Sequence, residues 1–107
     1  MARAVSWTLS ALDDLEQIAE YIARDSVAYA AAFISEALAA GQSLEDFSDR
    51  GRIVPELDDP SIRELFVGSY RVIYGVDDTV DVLAIVHGAR DLAALWDRDP
   101  AGSDTPQ

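Results

Sequence analysis

The chain has no cysteine, no lysine and a single histidine, His87, among its 107 residues. Without cysteine there are no disulfides, no thiolate metal ligands and no thiol nucleophile. One histidine and no cysteine leave too few nitrogen and sulfur ligands to close a structural zinc site. Oxygen-ligand metal sites survive that exclusion, but the acids are scattered and no calcium-loop spacing occurs. Gly41, Gly51, Gly68, Gly75, Gly88 and Gly102 are isolated from one another, so no phosphate-cradling loop is present. Neither a metal nor a nucleotide cofactor is expected. No apolar run approaches the roughly 18–20 residues of a membrane span. Residues 1–7 lack the apolar stretch of a signal peptide. The expectation is a cytoplasmic protein with no membrane partner.

All the basic charge is arginine. Eight arginines against twenty acids give a net charge of −12. Such a balance disfavours general affinity for nucleic acid, because phosphate binding needs clustered cations. An acidic surface also suits a salty cytoplasm, and coding bias toward arginine and alanine produces the same composition. Near 1 M salt the screening length is only about 3 Å, which would mute repulsion from an acidic partner.

What is present is patterning. Half the residues are hydrophobic, enough for one domain of ordinary size, placed at residues 1–96. Residues 3–8 are mildly β-like. Ser10 is then a candidate N-cap, with Asp13 and Asp14 complementing the helix dipole. Leu12, Leu15, Ile18 and Ile22 recur at helical spacing and predict an amphipathic helix over 11–24. Asp25-Ser26 marks a break and a new cap. An alanine-rich helix is predicted over 27–46, with Ala30, Ala37 and Gly41 permitting close approach to the first helix. The short link makes the two an antiparallel hairpin. Pro55, Pro60 and the clusters around Gly51 and Asp58-Asp59 make 48–60 a loop. Strands are predicted near 62–67, 70–76 and 80–87, joined at Gly68-Ser69 and Asp77-Asp78 as an antiparallel meander. A short helical turn is predicted at 93–96 and a disordered polar tail at 97–107. The class is therefore α+β: an N-terminal β segment and an antiparallel helical hairpin on an antiparallel sheet of three to four strands. One face of the sheet is buried by the helices; the other is left to solvent or a partner.

Arginine inside an apolar strand is costly to bury and needs a partner or a task. Strand parity puts Tyr70, Val72 and Tyr74 on the core face and Arg71, with Ile73 and Gly75, on the open one. A one-residue change in the link at Asp77-Asp78 decides which face His87 joins. The plain structural accounts are a salt bridge from Arg71 to Glu64 or Asp91, and a strand-end histidine bonded to backbone. For Arg63-Glu64 the corresponding account is an edge ion-pair network, and for Arg50-Gly51-Arg52 a solvated turn. Trp7 and Trp96 are assigned to packing, and the acids of the first helix to a solvated face.

From Trp7 to about Leu92 the chain resembles the RelE/ParE superfamily of toxins from bacterial and archaeal toxin–antitoxin modules. The resemblance rests on an ordered set of segments. These are the Ala11–Ile22 helix, Gly51-Arg52-x-Val54-Pro55-Glu56, Arg63-Glu64, Tyr70-Arg71-Val72-Ile73-Tyr74 and His87-Gly88-Ala89-Arg90-Asp91. The loop and the Tyr-Arg-x-x-Tyr and His-Gly-x-Arg-Asp elements look more like the ParE branch. That branch implies a toxin that binds DNA gyrase and blocks replication without a chemistry of its own. The RelE branch implies the alternative, a ribosome-dependent mRNA endonuclease. A third possibility is an inactive homologue that only binds antitoxin. Each implies a hetero-oligomer with a cognate antitoxin.

Under the nuclease alternative, Arg71 and Arg90 match the phosphate-clamping arginines of the RelE branch, and His87, Glu64 or Tyr70 would move protons. Arginine stays protonated and is a poor general base, and lysines that serve some RelE-like enzymes have no counterpart here. Under the binding reading, Arg63, Arg71, His87, Arg90, Arg50 and Arg52 are candidates for target or antitoxin contact. The family's toxins are often basic with acidic antitoxins, so the −12 charge predicts antitoxin capture mainly by apolar burial. Arg63, Arg71 and Arg90 would then be local anchors.

Overall fold

In a computed structural model describing residues 2–90 and 92, strand β1 (Val5–Trp7) passes directly into helix α1 (Leu9–Ala23). The expected turn at 93–96, the tail at 97–107 and Asp91 lie outside the described residues. The N-cap is Thr8, not Ser10. Its Oγ1 accepts the Ala11 N–H at 3.0 Å, and its own N–H donates to the Val82 carbonyl at 3.0 Å. The strand pairing on one side thus selects the cap on the other, two residues ahead of the local signal. Ser26 caps α2 (Val27–Ser43) as expected, its Oγ accepting from Tyr29 N. The two helices form the predicted hairpin.

The meander is also as expected, with β3 (Ile62–Val67), β4 (Tyr70–Val76) and β5 (Val80–His87) antiparallel. Gly68 makes the first turn at φ +59°, a conformation that side-chain-bearing residues disfavour. The sheet is larger than the three to four antiparallel strands predicted. It has five strands in the order β1-β5-β4-β3-β2 and is mixed, because β1 runs parallel to β5. β2 (Arg52–Ile53) pairs with Glu64 and Arg63 from within the expected loop. β1 is the expected N-terminal β segment, and β2 is the addition; the partners of both edge strands lie far along the chain, which no local periodicity records.

The β4–β5 register contains an irregularity. Val76 pairs with Val80 and Tyr74 with Val82, but Ile73 pairs with Ala84, so Leu83 is an extra residue in β5. A bulge of this kind re-aims every later side chain. Leu83 is held where it is by a hydrogen bond from Thr8 Oγ1 to its carbonyl, 3.3 Å. Beyond the bulge, Tyr70 pairs with His87 and Arg71 with Val86.

The core has two layers. On the helix side, Leu15, Phe33, Ala37 and Leu44 pack against Leu65, Val72, Tyr74, Val82 and Ile85. Burial of each large side chain there stabilises the fold by about 1.5–3 kcal/mol. Gly41 lies against the indole of Trp7, whose ring atoms would be 3.0–3.3 Å from an added Cβ. The far face of the sheet, expected to be open, is covered. Val54 and Leu57 fold back over Ile73, Ala84 and Val86, joined by Leu92. The fold-back is held by Val54 N–H to the Ile62 carbonyl and Leu57 N–H to the Val54 carbonyl, each 3.2 Å.

Candidate functional site

Parity places Arg71 on the far face, as predicted, but the covering loop buries it to 4% exposure. Its two terminal nitrogens donate to both Glu56 carboxylate oxygens at 2.8–2.9 Å. Such a bidentate fork is the strongest common pairing of arginine. Its Nε lies 3.0 Å from Oε1 of Glu64, close enough for an ion pair but misaligned for a hydrogen bond. The other Glu64 oxygen accepts from Arg52 Nε. Glu64 is itself only 1% exposed. The group is a chain of alternating charge, Arg52–Glu64–Arg71–Glu56, and sums to zero. Two charges buried this deeply persist because each neutralises the other. The pairing of Arg71 with Glu64 was legible in the sequence. Its chief partner, Glu56, was not, although Glu56 closes the Gly-Arg-x-Val-Pro-Glu segment.

Arg63 and Arg50 take no part in that chain. Arg63 Nη1 donates to the Gly51 carbonyl at 2.7 Å, so of the edge ion-pair network expected around Arg63-Glu64 only Glu64 takes part, with Arg52 and Arg71. Arg50 Nη1 donates to Ser43 Oγ at 2.7 Å. The turn between them is organised from below by Tyr74. Its buried hydroxyl accepts the Gly51 N–H at 2.9 Å and donates to the Ser48 carbonyl at 3.0 Å. Arg52 lies 5.5 Å over the ring of Phe66, which is 55% exposed. The basic turn is therefore a shaped surface, with Arg50, Arg52 and Phe66 outward and Tyr74 beneath.

Burial raises the Tyr74 phenol above its ordinary pKa, opposed by its Gly51 bond and by Arg63 and Arg50. A raised folded value means that the stability linked to this group is fully present below about pH 10. It is lost as pH climbs past the folded value. Tyr74→Phe is expected to cost about 1–3 kcal/mol at neutral pH, since it orphans a buried amide. The same variant should unfold less steeply with pH above about 10. Urea titrations at neutral and alkaline pH measure both; parallel losses at every pH would remove Tyr74 as the linked group.

His87 and Arg90 lie on the other side of the sheet from Arg71. Because of the Leu83 bulge, His87 shares the helix face with Tyr70, their rings 5.4 Å apart and edge-on. His87 Nδ1 accepts the Ala89 N–H at 3.1 Å, the backbone bond expected of a strand-end histidine. Tyr70, His87 and Arg90 line a notch of about 310 Å³ together with Asp14, Gln17 and Ile18 of α1. Asp14 departs from the solvated acidic face assigned to α1: its Oδ2 accepts the Ile85 N–H at 3.0 Å. Asp13, Glu16 and Glu20 are exposed.

The residues grouped by the nuclease alternative are thus divided. Glu64 and Arg71 are buried on one face as the inner pair of a neutral chain whose ends, Arg52 and Glu56, reach solvent, and His87 and Arg90 are exposed on the other. The far face presents Arg52 and the exposed Phe66 ring, and the helix side presents His87 and Arg90. Among the described residues no group of three or more histidine, aspartate or glutamate side chains converges as metal ligands, and no helix is long and apolar enough to cross a membrane.

The same arrangement of helices and strands recurs in solved structures. The chromosomal ParDE toxin–antitoxin system of P. aeruginosa includes a chain that superposes with a TM-score of 0.66 at 19% identity, over 80% of this chain and 96% of that one. The RelBE2 toxin–antitoxin complex of Mycobacterium tuberculosis gives 0.59 at 20% identity, over 81% and 99% respectively. At such identities these likenesses speak for the fold alone. No curated protein sequence matches the chain. The family model for the ParE toxin of type II toxin–antitoxin systems matches residues 5–92, from the first residue of β1 to the leucine that seals the far core. The chain belongs to the ParE toxin family.

Proposed function

We propose that this toxin acts by binding DNA gyrase, halting replication without catalysing a reaction of its own, and that a cognate antitoxin neutralises it by enclosing it. The observation that carries this reading is the state of Arg71. A phosphate clamp must be free to meet a phosphate, and this buried guanidinium already spends its fork on Glu56 within a neutral chain of charges. The histidine that would move a proton beside it lies across the sheet. Binding places no such demand on the interior. Arg50, Arg52 and Arg90 are exposed and can reach a target, Arg52 while paired with Glu64 and Arg50 while bonded to Ser43, whereas Arg71 is withdrawn from the anchoring role that the sequence suggested.

Antitoxin capture rests on apolar contact. Leu9, Leu12, Tyr21, Tyr29, Phe47 and Phe66 are exposed and offer apolar contact that does not depend on the few arginines. The same chemistry suits a toxin carrying a net charge of −12, which would repel a strongly acidic antitoxin at low salt.

Two assays on purified toxin separate inhibition from cleavage. With gyrase and relaxed plasmid, supercoiling should stop and linear DNA should accumulate after detergent and protease treatment. In a reconstituted translation reaction, the mRNA should remain intact. Cut mRNA with unimpaired supercoiling would assign the chain to the ribosome-dependent nuclease alternative instead. If both assays and cell growth are unaffected, the toxin reading itself fails and an antitoxin-binding homologue remains.

A further inference from the structure

The outer edge of β5 is only half occupied. β1 pairs with Val80, Asp81 and Val82 and then turns into α1. Past that point the edge has no strand beside it among the described residues. The bond from Gly88 N–H to the Ser69 carbonyl, 2.8 Å, fixes which groups point outward. It makes Tyr70–His87 a non-hydrogen-bonded pair of the antiparallel ladder, so the backbone groups of Ile85 and His87 face away from β4. Two of those four groups are already engaged. Asp14 takes the Ile85 N–H, and the Arg90 N–H bonds the His87 carbonyl at 3.0 Å. The Ile85 carbonyl and the His87 N–H remain unpaired among the described residues.

That pair brackets Val86. One acceptor and one donor flanking a residue is what a single residue of a parallel neighbouring strand satisfies, through its own N–H and C=O. β1 already runs parallel to β5, so an incoming strand would continue its direction. The edge opens into the notch between α1 and the sheet, whose volume is about 310 Å³. Around it stand Arg90 and Tyr70, whose side chains make no hydrogen bond to the described residues. His87 stands there too; its Nδ1 accepts from Ala89, which leaves Nε2 as its outward donor.

We propose that this notch binds an extended peptide segment of a partner protein, running parallel to β5, with an acidic side chain one residue beyond the position opposite Val86. Side chains on paired parallel strands align, so that acid lies beside His87 on the helix face, within the surroundings of Tyr70 and Arg90. The residue on the other flank lies beside Ile85 and the engaged Asp14, where a second acid is repelled. A nucleic-acid strand suits the notch less well. Asp14 offsets Arg90, the chain as a whole is acidic, and a phosphodiester cannot donate to the Ile85 carbonyl. The inference concerns the sheet edge and is independent of what the toxin inhibits.

The probe is N-acetyl-Ala-Val-Asp-methylamide, titrated into the full-length ¹⁵N-labelled protein and followed by NMR. Saturable shifts are expected at the His87 and Gly88 amides and at Arg90 Nε, with millimolar affinity. Replacing Asp by Asn in the probe should weaken binding roughly fivefold, the difference between a charge-assisted and a neutral hydrogen bond. N-methylation of the probe's valine removes the donor to Ile85 and should weaken binding by a similar factor, roughly fivefold. Arg90→Gln should erase the preference for Asp while leaving the Asn probe unchanged. Absence of saturable shifts up to about 10 mM, above the range expected of so small a contact, overturns the proposal. So does equal binding of the N-methyl probe, or stronger shifts of the same amides by inorganic phosphate or a short single-stranded DNA.

Discussion

Arg71→Ala is expected to lower folding stability by about 3–5 kcal/mol, the cost of breaking a buried pair from one side. The alanine removes the positive charge that lies 3.0 Å from Glu64 Oε1 and leaves that carboxylate interior, with Arg52 alone among the described residues to oppose it. It also frees Glu56, whose bidentate bond holds the covering loop to the sheet. Domains of this size carry about 5–15 kcal/mol in total, so the variant should be close to unfolding at physiological temperature. Chemical denaturation of the purified protein measures it. The double variant Arg71→Met, Glu64→Leu should recover much of the loss, because it removes both charges rather than stranding one. A single-variant loss under about 1 kcal/mol would mean that water reaches Glu64 and the pair is effectively a surface one. Toxicity in cells should fall with Arg71→Ala through lost folded protein. Arg90→Ala tests contact instead: Arg90 is exposed, its stability effect should stay within about 0.5 kcal/mol, and any loss of toxicity there reports binding.

Gly51→Ala is expected to be nearly as damaging, about 3 kcal/mol, at the upper end of overpacking costs. A Cβ at this position would sit 2.5 Å from the Glu64 carbonyl oxygen and 2.6 Å from the Tyr74 hydroxyl. The first is strand backbone and cannot swing aside. The second can move only by giving up its bonds to Gly51 and Ser48. The turn would lift, carrying Arg50 and Arg52 with it and parting the two-residue pairing of β2 with β3. Gly68→Ala provides the comparison, since nothing lies within 4 Å of its added Cβ. It should cost only about 1–2 kcal/mol, from the positive φ. If the two variants are equally stable in urea titrations, the turn yields without cost and Gly51 is not the pivot of the basic surface.

These two positions show how far the sequence could be read. Arg71 announced itself, because a guanidinium in an apolar strand needs a partner, and Glu64 was identified as one. Glu56 stayed hidden because it comes from a loop with no periodicity, fifteen residues away in sequence from Arg71. The closeness of Gly51 to Tyr74 was equally invisible, since twenty-three residues separate them. The Thr8 cap was misplaced at Ser10 because both residues have capping side chains and only the pairing of β1 with β5 chooses between them.

By itself the sequence determined the α+β class, the helical hairpin, the three-strand meander and the core face of β4. Those features follow from hydrophobic period, capping residues and turn residues, all of which act over a few positions. Its ordered arginine, tyrosine and histidine segments also pointed to the family. Tertiary structure decided whether the arginine-bearing face was open and whether its charged residues formed one cluster. It decided the first by folding Val54 and Leu57 over the sheet. It decided the second by one bulged residue, Leu83, which sends His87 to the face opposite Arg71. Side chains alternate with a period of two, so a single inserted residue reverses every assignment beyond it. The bulge is held by Thr8, seventy-five residues distant in the chain, and no local pattern can carry that information.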